Sequence, residues 1–193
     1  SAMVILLLIL WHFLGQKRAE DLNNRVFLFF AVLGTADVVA EFFTNYYITS
    51  YNSDMENAAV IVTTIFYLLQ ALLPVTFIFY IQTLHEQKII SAKKMFISGV
   101  PTLVLISVIL TNPFTEKLFS FDVTAGYMKG PWYLLMYVSA LGHFAVALLL
   151  ILLWRKKLGP QKEKILLEIF VISGVGVVLQ MFCQSLLMTG FGM

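Results

Sequence analysis

Residues Asn112 to Tyr133 read NPFTEKLFSFDVTAGYMKGPWY, and they interrupt a chain otherwise written largely for the interior of a lipid bilayer. Thr111, Asn112 and Pro113 spell a helix stop, and Gly130 with Pro131 spells a turn before the next helix. Between them Asp122 and Gly126 punctuate, while Phe114, Phe119, Phe121, Tyr127, Trp132 and Tyr133 supply rings of the kind that sit at a membrane interface. An aromatic loop of this length is rarely a plain connector. The expectation is a structured cap, residues 111–131, over one end of a helix bundle.

Hydrophobic residues make up 60% of the chain and charged residues 12%, with a mean hydropathy of +0.86. Soluble domains carry roughly 25% charged residues, so this composition points to an integral membrane protein. Apolar runs near the ~20 residues needed to cross a hydrocarbon core recur at about 3–15, 26–44, 58–84, 95–110, 132–154 and 165–188. No polar block is large enough for a second domain. The expected class is therefore all-α, a polytopic membrane helix bundle forming one domain over 1–193, with six spans present and a seventh missing. The net charge of +2 is small and the basic residues sit in short loops, with none of the aromatic and basic interleaving that would indicate nucleic acid. Cys183, the only cysteine, cannot form an intrachain disulfide.

Orientation follows from the loops, because Lys and Arg are retained on the cytoplasmic side. Lys17, Arg18 and Arg25 mark the first loop, Lys88, Lys93 and Lys94 the third, and Arg155, Lys156, Lys157, Lys162 and Lys164 the fifth. The alternate loops are poor in them. Tyr46 to Asn57 has Asp54 and Glu56 alone, and the aromatic loop sets Lys117 and Lys129 against Glu116 and Asp122. Lys17 and Arg18 follow the first apolar run, where a secretory signal would place its positive charges ahead of it. Both termini are thus expected outside, and Gly190 with Gly192 suits a tight turn into a further helix.

No P-loop, GxGxxG or GxSxG is present. His85 and Glu86 open like HExxH, but Ile89 stands where the second histidine is required. The three histidines fall on different segments, so neither a metal nor a cofactor is expected. The informative groups are polar residues inside the spans, where a charge at mid-depth costs about 2.5 to 3.5 kcal/mol and so should face the bundle interior. Asp37 and Glu41 share one face of the second span at i and i+4. His143 lies near the middle of the fifth with Ser139 one turn away, and Gln180 and Gln184 repeat the i, i+4 spacing on the sixth. Gln70 sits at mid-depth on the third, four residues before Pro74, which has no N–H to bond its carbonyl. Carboxylates, amides and an imidazole on four helices could line an outward-opening pocket for a small polar or cationic ligand, with Asp122, Tyr127 and Tyr133 gating it. The structural readings are pairing of the acids to a neighbouring Tyr, Ser or His, a satisfied core histidine, and glutamines as interhelical hydrogen-bond glue. Gly34, Gly99, Gly142, Gly174 and Gly176 are expected to permit close helix packing.

The aromatic loop, with Asn112-Pro113, Phe121-Asp122, Gly126-Tyr127, Gly130-Pro131 and Tyr133, resembles the N-terminal seven-helix sensor region of bacterial histidine kinases and of relatives fused to diguanylate cyclase (GGDEF) domains. Gln16, Lys17, Arg18, Asn24 and Arg25 around the first two spans, and Leu187 to Gly192 at the end, extend the resemblance. Lys129 and Met128 depart from it where arginine and histidine are the family pattern. The resemblance implies a seventh helix, a cytoplasmic output domain, a homodimer in the bacterial inner membrane and a small-molecule ligand from the outer side. The functional expectation is a ligand-sensing transmembrane module, not itself an enzyme. A small secondary transporter with an intramembrane carboxylate site is the alternative, and a third, an intramembrane enzyme, needs a nucleophile and base or metal ligands on facing helices, which nothing in the sequence pairs, Cys183 and His143 included.

Overall fold

A computed structural model of the chain describes residues 22–86 and 92–182. Helix α1 is Leu22–Thr49, α2 is Glu56–Glu86, α3 is Ala92–Thr115, α4 is Leu134–Leu158 and α5 is Pro160–Phe182. A 3-10 turn at Ser53–Met55 joins α1 to α2, capped by Asn52, whose Oδ1 accepts from Met55 N at 3.1 Å. Strands β1, Phe119–Asp122, and β2, Gly126–Lys129, form a hairpin between α3 and α4. Helices α1 to α4 are each long and apolar enough to cross a membrane. The expected count of six spans is not reached among the described residues, where four are found, because the run at 3–15 lies outside them and the run at 165–188 only partly inside. Gln184, Cys183, Lys17, Arg18 and Lys88 lie outside them as well.

Helices α1 to α3 begin earlier and end later than their apolar runs. A run closes at the first polar residue, whereas the hydrogen-bond ladder continues into the interface; at the end of α1, Thr49 Oγ1 returns to Asn45 O at 2.8 Å. The reading of Asn112-Pro113 as a stop needs correction, since α3 runs through both to Thr115. Pro113 lacks only an N–H, which leaves the Ile109 carbonyl without its usual partner near the helix end. The helix closes instead at Glu116, in the left-handed region at φ 52°, whose N–H donates to Asn112 O at 2.8 Å.

The hairpin is antiparallel, pairing Phe119 with Lys129 and Phe121 with Tyr127. Alternation along the strands puts Phe119, Phe121 and Tyr127 on one face. There Phe119 packs on Tyr67 of α2 at 5.3 Å between ring centroids, and Phe121 stacks on Tyr51 at 5.1 Å. Asn112, 1% exposed, holds the first strand to α3. Its Oδ1 accepts from Leu118 N at 2.7 Å and Phe119 N at 3.3 Å, and its Nδ2 donates to Phe119 O at 2.9 Å. Gly130 closes the hairpin because a Cβ there would stand 2.2 Å from the Lys117 carbonyl oxygen.

Helix α2 is the centre of the bundle, packed against α1, α3 and α4, while α5 packs on α4. Two apolar clusters form the core. One, with Tyr67, Leu105, Ile109, Leu118 and Phe119, lies under the hairpin; the other, with Ile78, Ile81, Ile151 and Leu166, lies towards the far ends of α2 and α4. Outward faces carry Phe29 and Phe42 on α1, Leu103 and Val104 on α3, and Leu149 and Leu153 on α4, all exposed, which suits contact with lipid. Close packing is not what Gly99 and Gly142 provide, because a Cβ at either would meet nothing within 4 Å. At Gly34 it would make an ordinary contact of 3.8 Å with Leu73.

Candidate functional site

Between the two core clusters lies a cavity of about 330 Å³ bordered by α1, α2, α4 and the hairpin. That is the lower end of the size range for small-molecule sites. Helix α1 contributes Asp37, Glu41, Thr44 and Asn45, successive positions of one helical face. From α2 come Phe66, Tyr67, Gln70, Pro74 and Phe77, and from α4 Met136, Tyr137, Ser139, His143 and Phe144. Tyr127 of β2 and Tyr133, just ahead of α4, form the wall on the hairpin side.

Tyr67 and Tyr127 join their hydroxyls at 2.6 Å, a polar tie between α2 and the hairpin. Burial is the main cause that pushes the Tyr127 phenol up to about 12, so it stays neutral at physiological pH. Tyr133 and Tyr137, one turn apart, meet at 3.2 Å. Lys129 lies over the Tyr133 ring at 4.8 Å, and desolvation lowers the pKa of its ammonium.

His143 is buried at 6% exposure. Its Nδ1 lies 2.7 Å from the Ser139 carbonyl oxygen, which can only accept, so Nδ1 carries the proton. Its Nε2 lies 2.9 Å from Thr102 Oγ1 on α3 and, in the neutral ring, accepts from that hydroxyl. Both nitrogens are therefore engaged, and the histidine ties α3 to α4 beside the cavity.

The acids are placed differently. Neither finds the Tyr, Ser or His partner of the structural reading among the described residues, and Asp37 Oδ1 is buried there without any hydrogen-bond partner. No three His, Cys, Asp or Glu side chains come together in a way that would hold a metal ion among those residues.

Of the positions singled out in the sequence, Asp37, Glu41, Gln70, His143, Tyr127 and Tyr133 border this one cavity. Asp122 does not. It sits in the hairpin turn, where Oδ1 accepts from Thr124 N at 2.8 Å, Ala125 N at 2.9 Å and the Thr124 hydroxyl. Gln180 falls near the end of α5 with its side chain outside what is described, and Gln184 lies beyond the described residues. Sequence reasoning missed Thr44, Asn45, Tyr67 and Tyr137. The first two continue the Asp37 and Glu41 face at the next helical step, and Tyr67 precedes Gln70 by three residues, so the same i, i+3, i+4 rule reaches them. No family model, curated protein or solved structure matches the chain.

Proposed function

We propose that the chain is the transmembrane ligand-sensing module of a bacterial signalling protein, multi-pass in the inner membrane with the hairpin outside. In this reading it is a homodimer, is not an enzyme itself, and biases an attached diguanylate cyclase or histidine kinase domain between two states. The cavity carries the proposal. Two carboxylates on one helical turn, a glutamine and several tyrosines converge there from three helices, beside a hairpin joined to the bundle through Tyr127 and Tyr67. A ligand shifts such an equilibrium only by binding one arrangement more tightly than the other. Contact with Asp37 or Glu41 favours one setting of α1 against α2, and release of Tyr127 from Tyr67 is the movement through which the hairpin responds. The basic residues at the opposite end of the bundle support the orientation. The six spans rest on the apolar runs of the sequence, and the seventh, the dimer and the output domain on the resemblance to seven-helix sensor regions.

A secondary transporter is built on helices broken at matching positions of two repeats. Here α2 and α3 run unbroken through Pro74 and Pro101, which favours the sensor. In the full signalling protein, Asp37→Asn combined with Glu41→Gln is expected to abolish the ligand-driven change in output while membrane abundance and helical content stay unchanged. An undiminished response removes the cavity from the mechanism. Gradient-driven accumulation of a cavity ligand in liposomes replaces the sensor with the transporter.

A further inference from the structure

We infer that the cavity takes an elongated organic ammonium ion, its charged end between Asp37 and Glu41, an apolar body along the aromatic walls, and a hydroxyl or N–H donor at its far end on Thr44. The inference rests on the reading of this cavity as the ligand site, and adds the chemical class.

Two polar atoms at the cavity lack hydrogen-bond partners among the described residues, a carboxylate oxygen that accepts and a hydroxyl that can accept or donate. Asp37 Oδ1 and Thr44 Oγ1 are both buried without a hydrogen-bond partner among the described residues, and both residues line the cavity. Thr44 is only 3% exposed. Several threonine hydroxyls elsewhere in the helices return to their own backbone, as Thr35 does to Ala31 O at 2.8 Å, Thr64 to Val60 O at 2.7 Å and Thr76 to Leu72 O at 2.8 Å. Thr63 is another buried hydroxyl without a partner, but it does not border the cavity. Leaving a buried polar atom unbonded carries a desolvation cost that a ligand carrying donors recovers.

Charge narrows the class. No Lys or Arg borders the cavity among the described residues, and both nitrogens of His143 are already engaged. No group of three His, Cys, Asp or Glu that could hold a metal ion forms there among the described residues. The positive charge that two adjacent carboxylates call for therefore comes with the ligand, and the unbonded Asp37 oxygen requires that it carry N–H. Phe66, Tyr67, Phe77, Tyr137 and Phe144 supply ring faces, which attract both an apolar body and a cation.

Spacing sets the length. Asp37 and Thr44 are two helical turns apart on one face, about 10 Å along the axis. One nitrogen cannot reach both, so the second donor belongs to the far end of the molecule. Tyramine has this shape, an ammonium at one end and a phenol at the other.

The test uses the chain in lipid nanodiscs, with empty nanodiscs correcting for partitioning, and three probes: tyramine, phenethylamine, which lacks the far hydroxyl, and 4-ethylphenol, which lacks the ammonium. Tyramine is expected to bind at least about tenfold more tightly than 4-ethylphenol and severalfold more tightly than phenethylamine. Asp37→Asn should cost tyramine about tenfold, and Thr44→Val should weaken tyramine severalfold while leaving phenethylamine unchanged, which also shows that the variant is folded. Absence of amine binding, equal binding of tyramine and 4-ethylphenol, or equal weakening of both amines by Thr44→Val overturns the inference. Failure of the sensor reading looks different: tyramine then binds with this pattern but leaves output untouched. A response to an acidic or neutral ligand that Asp37→Asn with Glu41→Gln abolishes leaves the sensor standing and removes the ammonium.

Discussion

Asn112 illustrates how one side chain can fix an element. Buried and amide-bearing, it supplies both an acceptor and a donor to the backbone of β1, satisfying groups that no strand partner reaches. Asn112→Ala leaves the Leu118 N–H and the Phe119 carbonyl unbonded, at about 1–3 kcal/mol for each buried group. The expected outcome is a hairpin that detaches, seen as a lower unfolding temperature and a changed Trp132 environment, with helical content retained. Asn112→Asp should be worse, because it keeps the acceptor but turns an oxygen towards the Phe119 carbonyl. Wild-type stability in the alanine variant would falsify the anchoring role. This residue was visible in the sequence only through its Pro113 neighbour, and that neighbour read as a stop. What an amide does at a helix end depends on the chain that returns to it seven residues later. Asp37 and Glu41, by contrast, were legible because helical spacing alone puts them on one face. Thr44 was not, because a threonine in a helix ordinarily bonds its own backbone and only the folded chain shows that this one does not.

At the scale of the element, the hairpin is the part that hydropathy could not resolve. Its strands are four residues each, too short for alternation to stand out against the surrounding aromatic composition. The turn, however, carries a local signature in Asp122. The Thr124 hydroxyl first, then the backbone N–H groups of Ala125 and Thr124, hold its carboxyl below the ordinary value of 3.8. A carboxylate whose pKa is depressed by folding contributes stability that is fully present above the unfolded value and is lost as pH falls through the folded one. The amide resonances of Thr124 and Ala125 should therefore hold steady down to about pH 4 and move only below it. Asp122→Asn should remove that acid transition. Movement centred near pH 5 or above would mean that the turn is held by something else.

For the whole molecule the question is which end faces the cell exterior. The positions of α1 to α4 along the chain were legible from apolar runs of near-spanning length, and the candidate polar lining from residues that such runs cannot leave facing lipid. The number of spans was not, because it depends on segments outside the described residues. In a Cys183→Ser background, Glu116→Cys in sealed vesicles of known orientation is expected to react with a membrane-impermeant maleimide from the exterior, and Lys156→Cys only after permeabilisation. The reverse pattern would put the hairpin in the cytoplasm and end the sensor reading. The division of the core into two apolar clusters has its own mechanical outcome. A bundle knotted at both ends and hollow at the waist has fewest packing contacts to break at that waist. Any tilting of the helices is therefore expected to pivot there as on a fulcrum, so that a small splaying at one knot would return as a pinch at the other, with whatever fills the hollow setting how stiff the pivot is.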